Sequence, residues 1–350
     1  MKKYSIPQKM KAIVLPAYNQ NIIRALLSLT IEEKDVPKPK NGQVLIQMSA
    51  APCNPSDIAF LQGGYNVVKT LACVPGFEGS GIVVDTGNDK TSKTLLGKKV
   101  SCFTQDDRDG TWAEFFLTET NNCIVLKDEI DMDQAACLAL NPITAFGLFE
   151  IALQRESQTI IQSGAGSQLC RFISSFAKKN KVKVINIVRK EDVLNQLNNE
   201  GEEYIILSTD ENFTEKLSEL ANQLNATTAF DAVGGEMTGL IFNAMPKDSE
   251  VIVYGGLSGK PISEINVLEL IFKDKILIGF NLNEWIEEIG TERFNEISNE
   301  LQEMIIKNEI STKISGKYKL EEAVKGIRKY IGNMSGGKIL FVQNNHLHDL

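Results

Sequence analysis

The chain has 350 residues, of which 43% are hydrophobic and 23% charged, and a formal net charge of −8. That length supports two cores, and the acidic balance speaks against nonspecific nucleic-acid binding. No apolar run of about 18 residues occurs, so no membrane span is predicted. The six cysteines are scattered without a C-x-x-C pair, which reads as reduced thiols rather than a disulfide framework or a structural zinc lobe.

Residues 1–7 carry two lysines with no apolar core behind them, and the run 22–27 is short and interrupted by Arg24. No secretory signal is read, and a cytoplasmic protein is expected. Short β-rich runs follow at 11–15, 43–48, 81–85, 99–103 and 112–117, divided by glycine-containing turns. They predict a β-rich first domain. Near residue 131 the pattern changes: helices are expected over 131–140 and 144–153, with Pro142 between them. Beyond Thr159, apolar strands at 182–188, 204–207, 228–231, 250–254 and 275–279 alternate with helices through Lys179 and over 193–198, 213–224 and 237–244. That alternation predicts a doubly wound parallel sheet. A helix over 294–306 and a late strand at 338–342 close the chain, with the tail expected to return to the first domain. The expected domains are 1–130 with 315–350, and 131–314.

A candidate phosphate-binding turn, Gln162-Ser-Gly-Ala-Gly-Ser-Gln-Leu169, lies between a strand and a helix. In that context backbone N–H groups at a helix start face an anion. Gly164, Ala165, Gly166, Ser167 and Gln168 are the candidate contacts. Only Gly164 and Gly166 are glycines, while Ser167 and Leu169 fill positions where related proteins usually have Gly, so a plain tight turn fits as well. The second strand ends Ile187-Val-Arg-Lys190, with no acid until Glu191. NAD-binding folds place an acid about 20 residues after the glycines, on the ribose 2′-hydroxyl. Arg189 instead suits a 2′-phosphate through its guanidinium fork, which favours NADPH over NADH; two solvated cations at a strand end are the competing reading.

Taken in order, Asn54-Pro-Ser-Asp-Ile58, Gln62-Gly-Gly-Tyr65, Pro75-Gly-Phe-Glu-Gly-Ser-Gly81, Asn141-Pro-Ile-Thr-Ala145, Ile185-Asn-Ile-Val-Arg189, Ala232-Val-Gly-Gly235, Tyr254-Gly-Gly256, Leu270-Ile-Phe-Lys-Asp274 and Gly279-Phe-Asn-Leu-Asn-Glu-Trp285 carry a resemblance. The chain resembles the zinc-independent quinone oxidoreductase branch of the medium-chain dehydrogenase/reductases, especially the mitochondrial-type trans-2-enoyl thioester reductases. The resemblance implies an α/β chain with a β-rich GroES-like catalytic domain and a Rossmann cofactor domain. Zinc members carry Cys and His where this chain has Asn54 and Phe77, and neither is a usual zinc ligand. Cys53 is one residue out of register. The only histidines, His346 and His348, fall in the last five residues, so neither a catalytic metal nor a histidine base is expected.

Carried over by residue, the resemblance makes Tyr65 the proton donor or substrate-orienting hydroxyl and puts Thr144 on the nicotinamide carboxamide. Tyr254, Gly255, Gly256 and Leu257, with Phe280, Asn281 and Leu282, would line the cofactor's nicotinamide end, and Trp285 the substrate side. Asn281 stands where the enoyl reductases usually carry an aromatic. Asn54, facing the place a metal would occupy, is the second catalytic candidate, although Asn-Pro-Ser-Asp also reads as a helix cap. For Tyr65, a loop tyrosine packing its ring is the alternative. The expected activity is hydride transfer from NADPH to an enoyl thioester, an enal or enone, or a quinone. A nucleotide-binding protein with little or no catalysis is the alternative from another class. A small-molecule substrate, no nucleic-acid or membrane partner, and a homodimer formed by cofactor-domain strand edges complete the expectation.

Overall fold

The computed structural model describes residues 4–343. The chain forms two compact units, one made of residues up to Ile143 with those from Ser298 onward, the other of Thr144–Ile297. His346 and His348 lie outside the described residues.

In the first unit, β1 (Lys9–Val14) pairs antiparallel with β2 (Thr30–Asp35), and α1 (Ile22–Ser28) lies between them in sequence. Then come β3 (Gln43–Pro52), α2 (Pro55–Leu61), β4 (Glu78–Thr86), α3 (Lys90–Thr94), β5 (Lys99–Phe103), β6 (Phe115–Glu119), β7 (Cys123–Val125) and α4 (Met132–Ala135). The helix expected over 131–140 is thus a single turn. Ala136, Cys137 and Leu138 are buried, and the first two pack with Ala50 and Leu340, while Ser80 Oγ donates to the Met132 carbonyl at 2.7 Å. This packing joins 131–143 to the first unit, so the division falls later than 130/131. α5 (Asn141–Gln154) carries the chain onward, with Pro142 in its first turn, where a missing N–H costs little.

The second unit holds β8 (Thr159–Ser163), α6 (Gln168–Asn180), β9 (Lys183–Val188), α7 (Glu191–Asn199), β10 (Tyr204–Leu207), α8 (Phe213–Gln223), β11 (Thr228–Asp231), α9 (Glu236–Ala244), β12 (Glu250–Val253), α10 (Val267–Phe272) and β13 (Ile276–Gly279). All strand pairs are parallel, in the order β10-β9-β8-β11-β12-β13. This is the 3-2-1-4-5-6 order of a Rossmann sheet. Every residue of β8 is buried, which is why these strands read as continuous apolar runs. Among the polar side chains buried in the sheet, Gln162 Nε2 on β8 donates to Asn186 Oδ1 on β9 at 2.6 Å, and Asn186 Nδ2 donates to Glu202 Oε2 at 2.8 Å.

α11 (Leu282–Ile306) starts twelve residues before the helix expected at 294 and is broken at Gly290, whose φ of 74° lies in the left-handed region that glycine adopts at least cost. From Ser298 the chain belongs to the first unit again, earlier than 314/315: Gln302 Oε1 accepts the Lys127 N–H at 2.8 Å. β14 (Ile314–Tyr318), α12 (Ala323–Gly332) and β15 (Lys338–Val342) follow. β15 pairs antiparallel with β3, completing the order β14-β15-β3-β4-β5-β7, with β6 also on β3. Phe60, Phe77, Trp112, Phe116 and Phe341 fill the core of this unit; each such burial is worth about 1.5–3 kcal/mol. No helix among the described residues is long and apolar enough to cross a membrane.

Candidate active site

The strand order of the second unit reverses beside β8, so β8 and β11 lead into loops that diverge at their carboxyl ends. Open α/β sheets bind ligands at such switch points. Here the two strand ends are tied together. Ser163 Oγ donates to Asp231 Oδ1 and accepts the Ala232 N–H at 2.9 Å. The same carboxylate accepts the N–H groups of Val233 and Gly234 and the Thr238 hydroxyl. This network fixes the turn through Gly234 and Gly235, and the sequence reading missed it because its members lie up to 75 positions apart.

Gly164 leaves β8 with φ +62°, a conformation that L side chains rarely adopt. Ser167, in place of a glycine, is the N-cap of α6: its Oγ accepts the Cys170 N–H at 3.3 Å. The depleted loop therefore keeps a capped helix start. The Ala165 N–H is already committed to the Ile187 carbonyl at 3.1 Å, and Gln168 is buried. Arg189 and Lys190 are exposed directly after β9. Beyond β12, Tyr254 donates its N–H to the Asp231 carbonyl at 3.0 Å, and its hydroxyl lies 3.4 Å from Cys170 Sγ. Burial pushes that phenol well up. A Cβ on Gly255 would lie 2.8 Å from the Ala232 carbonyl oxygen, so only glycine fits there, whereas Gly256 faces open space and Leu257 is exposed. Beyond β13, the Phe280 ring lies 6.0 Å from Trp285, and both press on Gly147 of α5, three residues after the buried Thr144. Asn281 is exposed and accepts the Asn283 N–H at 3.0 Å, opening α11, where Leu282 is buried. The predicted cofactor residues thus sit after β8, β9, β12 and β13, with Thr144 on α5.

In the first unit, Tyr65 lies on the loop after α2 and is half-buried, its ring centroid 5.3 Å from that of Phe77. Gln105 Nε2 donates to its hydroxyl oxygen. Burial raises the phenol pKa, the nearby Asp57 raises it further, and the Gln105 bond opposes both. Lys69, four residues on, is buried over the faces of Phe60 and Phe77 at 5.6 and 5.5 Å, and its Nζ has no hydrogen-bond partner. Burial lowers its pKa.

Asn54 is 1% exposed. Its N–H donates to Asp57 Oδ2 at 2.7 Å, the capping arrangement that starts α2, and its Nδ2 donates to Glu78 Oε1 at 2.7 Å. Its Oδ1 accepts from Lys338 Nζ, and Glu78 Oε2 accepts the Leu140 N–H at 3.1 Å. Burial dominates both carboxyls, pushing Asp57 and Glu78 each up to about 7. The place a catalytic zinc would take in related enzymes is thus framed by an amide, the Phe77 ring and a lysine ammonium. None of these is a usual zinc ligand, and the residues do not fit the metal. Among the described residues no three His, Cys, Asp or Glu side chains gather as a ligand set.

Two family models match: an alcohol dehydrogenase GroES-like domain over residues 40–128 and a zinc-binding dehydrogenase domain over 172–303. The mitochondrial enoyl-[acyl-carrier-protein] reductase of Caenorhabditis elegans is 30% identical over 83% of this chain and 83% of its own. A Mesorhizobium loti structure assigned as an NADPH:quinone reductase superposes with a TM-score of 0.91 at 30% identity, covering 97% of this chain and all of that one. A mutant enoyl thioester reductase from Candida tropicalis shares the fold, with a TM-score of 0.76 at 20% identity over 96% of this chain and all of that one. The chain belongs to the medium-chain dehydrogenase/reductase family, in its zinc-independent quinone and enoyl reductase branch. It is a nicotinamide-dependent oxidoreductase of that type.

Proposed function

We propose that the protein is an NADPH-dependent reductase of activated carbon–carbon double bonds, with enoyl thioesters, enals or enones as its substrate class. The observation that carries the choice over quinones is Tyr65: a half-buried phenol whose oxygen already accepts a bond from Gln105. Protonating the α-carbon of an enolate needs a positioned acid, whereas the oxygens of a reduced quinone take protons from water.

Bound NADPH supplies the hydride. Gly164, Gly166 and Ser167 hold the pyrophosphate at the start of α6, with Arg189 on the 2′-phosphate. Thr144, Tyr254–Leu257 and Phe280–Leu282 hold the nicotinamide end, with Trp285 toward the substrate. Tyr65 keeps its proton at neutral pH because burial disfavours the phenolate. As that proton leaves for carbon, the Gln105 N–H stabilises the oxygen left behind. Asn54 acts at one remove, holding in place Lys338 and Glu78, the residue next to Phe77 in the chain. Tyr65→Phe is expected to lower kcat/KM for a crotonyl thioester by about 10²–10⁴ and to change quinone reduction by less than about tenfold. Equal, intact activities in the variant would refute the proton-donor role.

The same reading includes a homodimer. β13 ends the sheet with Ile276 and Ile278 exposed, and no residue of α10 is buried, Phe272 being 72% exposed. An apolar sheet edge of this kind calls for cover, and a second copy supplies it by edge-to-edge pairing. The compartment we propose is the cytoplasm, which cell fractionation checks against the mitochondrial location in its relatives' names.

A further inference from the structure

β5 and β7 are antiparallel, with Val100 opposite Val125, Ser101 opposite Ile124 and Cys102 opposite Cys123. Just beyond, the Leu126 N–H donates to the Lys99 carbonyl at 2.9 Å, which makes 99/126 a hydrogen-bonded pair. Hydrogen-bonded and open pairs alternate along an antiparallel ladder, so 102/123 is an open pair. There Cα atoms stand about 4.5 Å apart with the side chains on one face and close together. That spacing lies within the range a disulfide spans without backbone movement. Cys102 is fully buried, and Cys123, half-buried, packs against the same core. Their Sγ atoms lie 3.4 Å from the Gly79 carbonyl and 3.7 Å from the Glu119 carbonyl. None of the other four cysteines faces a cysteine across a strand pair.

We propose that Cys102 and Cys123 form an oxidisable dithiol site that takes a low-molecular-weight disulfide as its oxidant and closes to a cross-strand disulfide. Cys123, the more exposed, loses its proton and attacks one sulfur of the oxidant; its S–S bond breaks and one small thiolate leaves. Cys102 then loses its proton and attacks Cys123 Sγ, forming the protein S–S bond and expelling the second thiolate. Two protein thiols are oxidised and one small disulfide is reduced to two thiols, which take up the two protons. Burial holds Cys123 at about 12 and raises Cys102 as well. The thiolate fraction is therefore small at neutral pH, and closure quickens about tenfold per pH unit.

The test is incubation of the full chain with oxidised glutathione at about pH 7, 8 and 9, followed by non-reducing peptide mass mapping. The expected product is one linked pair of peptides carrying Cys102 and Cys123, about 2 Da lighter than their sum and forming faster at higher pH. Cys102→Ser is expected to accumulate a glutathione adduct on Cys123, and Cys123→Ser to abolish the link. A persistent adduct on Cys123 of the unsubstituted chain, a link through another cysteine, or no oxidation even at the highest pH would overturn the proposal. These three outcomes are read on the unsubstituted protein, so a folding defect in either variant leaves the test decisive.

Discussion

Two carboxyls buried in one cluster make stability fall as pH rises through the neutral range. Glu78 and Asp57 are 1% and 0% exposed, and each is pushed up to about 7 from ordinary values of 4.5 and 3.8. Between those limits the unfolded chain gives up both protons while the folded chain keeps them. The unfolded state therefore gains stability relative to the folded one as pH increases, and the loss is complete above about pH 7. Taken singly, the shifts correspond to about 3 kcal/mol for Glu78 and about 4 kcal/mol for Asp57. The Asp57 charge raises the Glu78 pKa, so the shifts do not simply add, and the expected loss between about pH 4 and 8 is about 3–7 kcal/mol. Carboxylates held low, such as Asp106 and Glu269, act in the opposite sense but only in more acidic solution. The assay is urea unfolding followed by Trp112, which is fully buried in the same unit as Glu78 and donates to the Pro52 carbonyl at 3.0 Å. A Trp285→Phe background leaves Trp112 as the sole tryptophan. Glu78→Gln, which keeps an acceptor for Asn54, should remove about 3 kcal/mol of the pH dependence, and Asp57→Asn should remove most of the remainder. Stability that rises with pH over this window, or an unchanged slope in both variants, would refute the reasoning.

Three further outcomes are expected. Arg189→Leu should weaken NADPH binding by about 1.5–3 kcal/mol, the worth of a charged hydrogen bond, while leaving NADH binding nearly unchanged; fluorescence titration with each nucleotide checks this. Gly164→Ala meets only ordinary contacts, the nearest at 3.6 Å to the Ala232 Cβ, but must hold a φ of +62°. It should cost about 1–2 kcal/mol and lower the Tm measurably. Ile278→Lys on the β13 edge should convert a dimer to a monomer in analytical ultracentrifugation, with secondary structure by circular dichroism unchanged.

The second unit was the more legible in sequence. The strands Tyr204–Leu207 and Thr228–Asp231 have the expected bounds, because each is a short, largely apolar run set between polar helices. The surface elements of the first unit were not legible. β2 reads Thr-Ile-Glu-Glu-Lys-Asp, with none of it buried, and α10 of the second unit likewise has no buried residue, so neither carries the one-sided pattern that betrays an element. The candidate site divides similarly. Its loop glycines advertise themselves, but the partner of Tyr65 is 40 positions away, and the lysine on Asn54 is 284 positions away. Pairings of that kind are made by the fold. No local spacing encodes them, and only β15 returning to lie on β3 brings Lys338 home.

The buried Gln162–Asn186 bond gives the parallel sheet something its aliphatic residues lack. Parallel strands of Ile and Val slide past one another with little change in what each side chain touches, so the apolar pattern says that β8 and β9 associate but not in which phase. A donor and an acceptor that meet at one setting distinguish that setting from its neighbours, since a slip costs the Asn186 Oδ1 acceptor its bond in a dry interior. The distinction is not free, because Gln162 Oε1 has no partner even in the native alignment. Replacing both residues with aliphatic ones would leave a sheet of similar strength whose β8–β9 phase is held less firmly, with the Ser163–Asp231 network left to fix the end of β8 before Gly164.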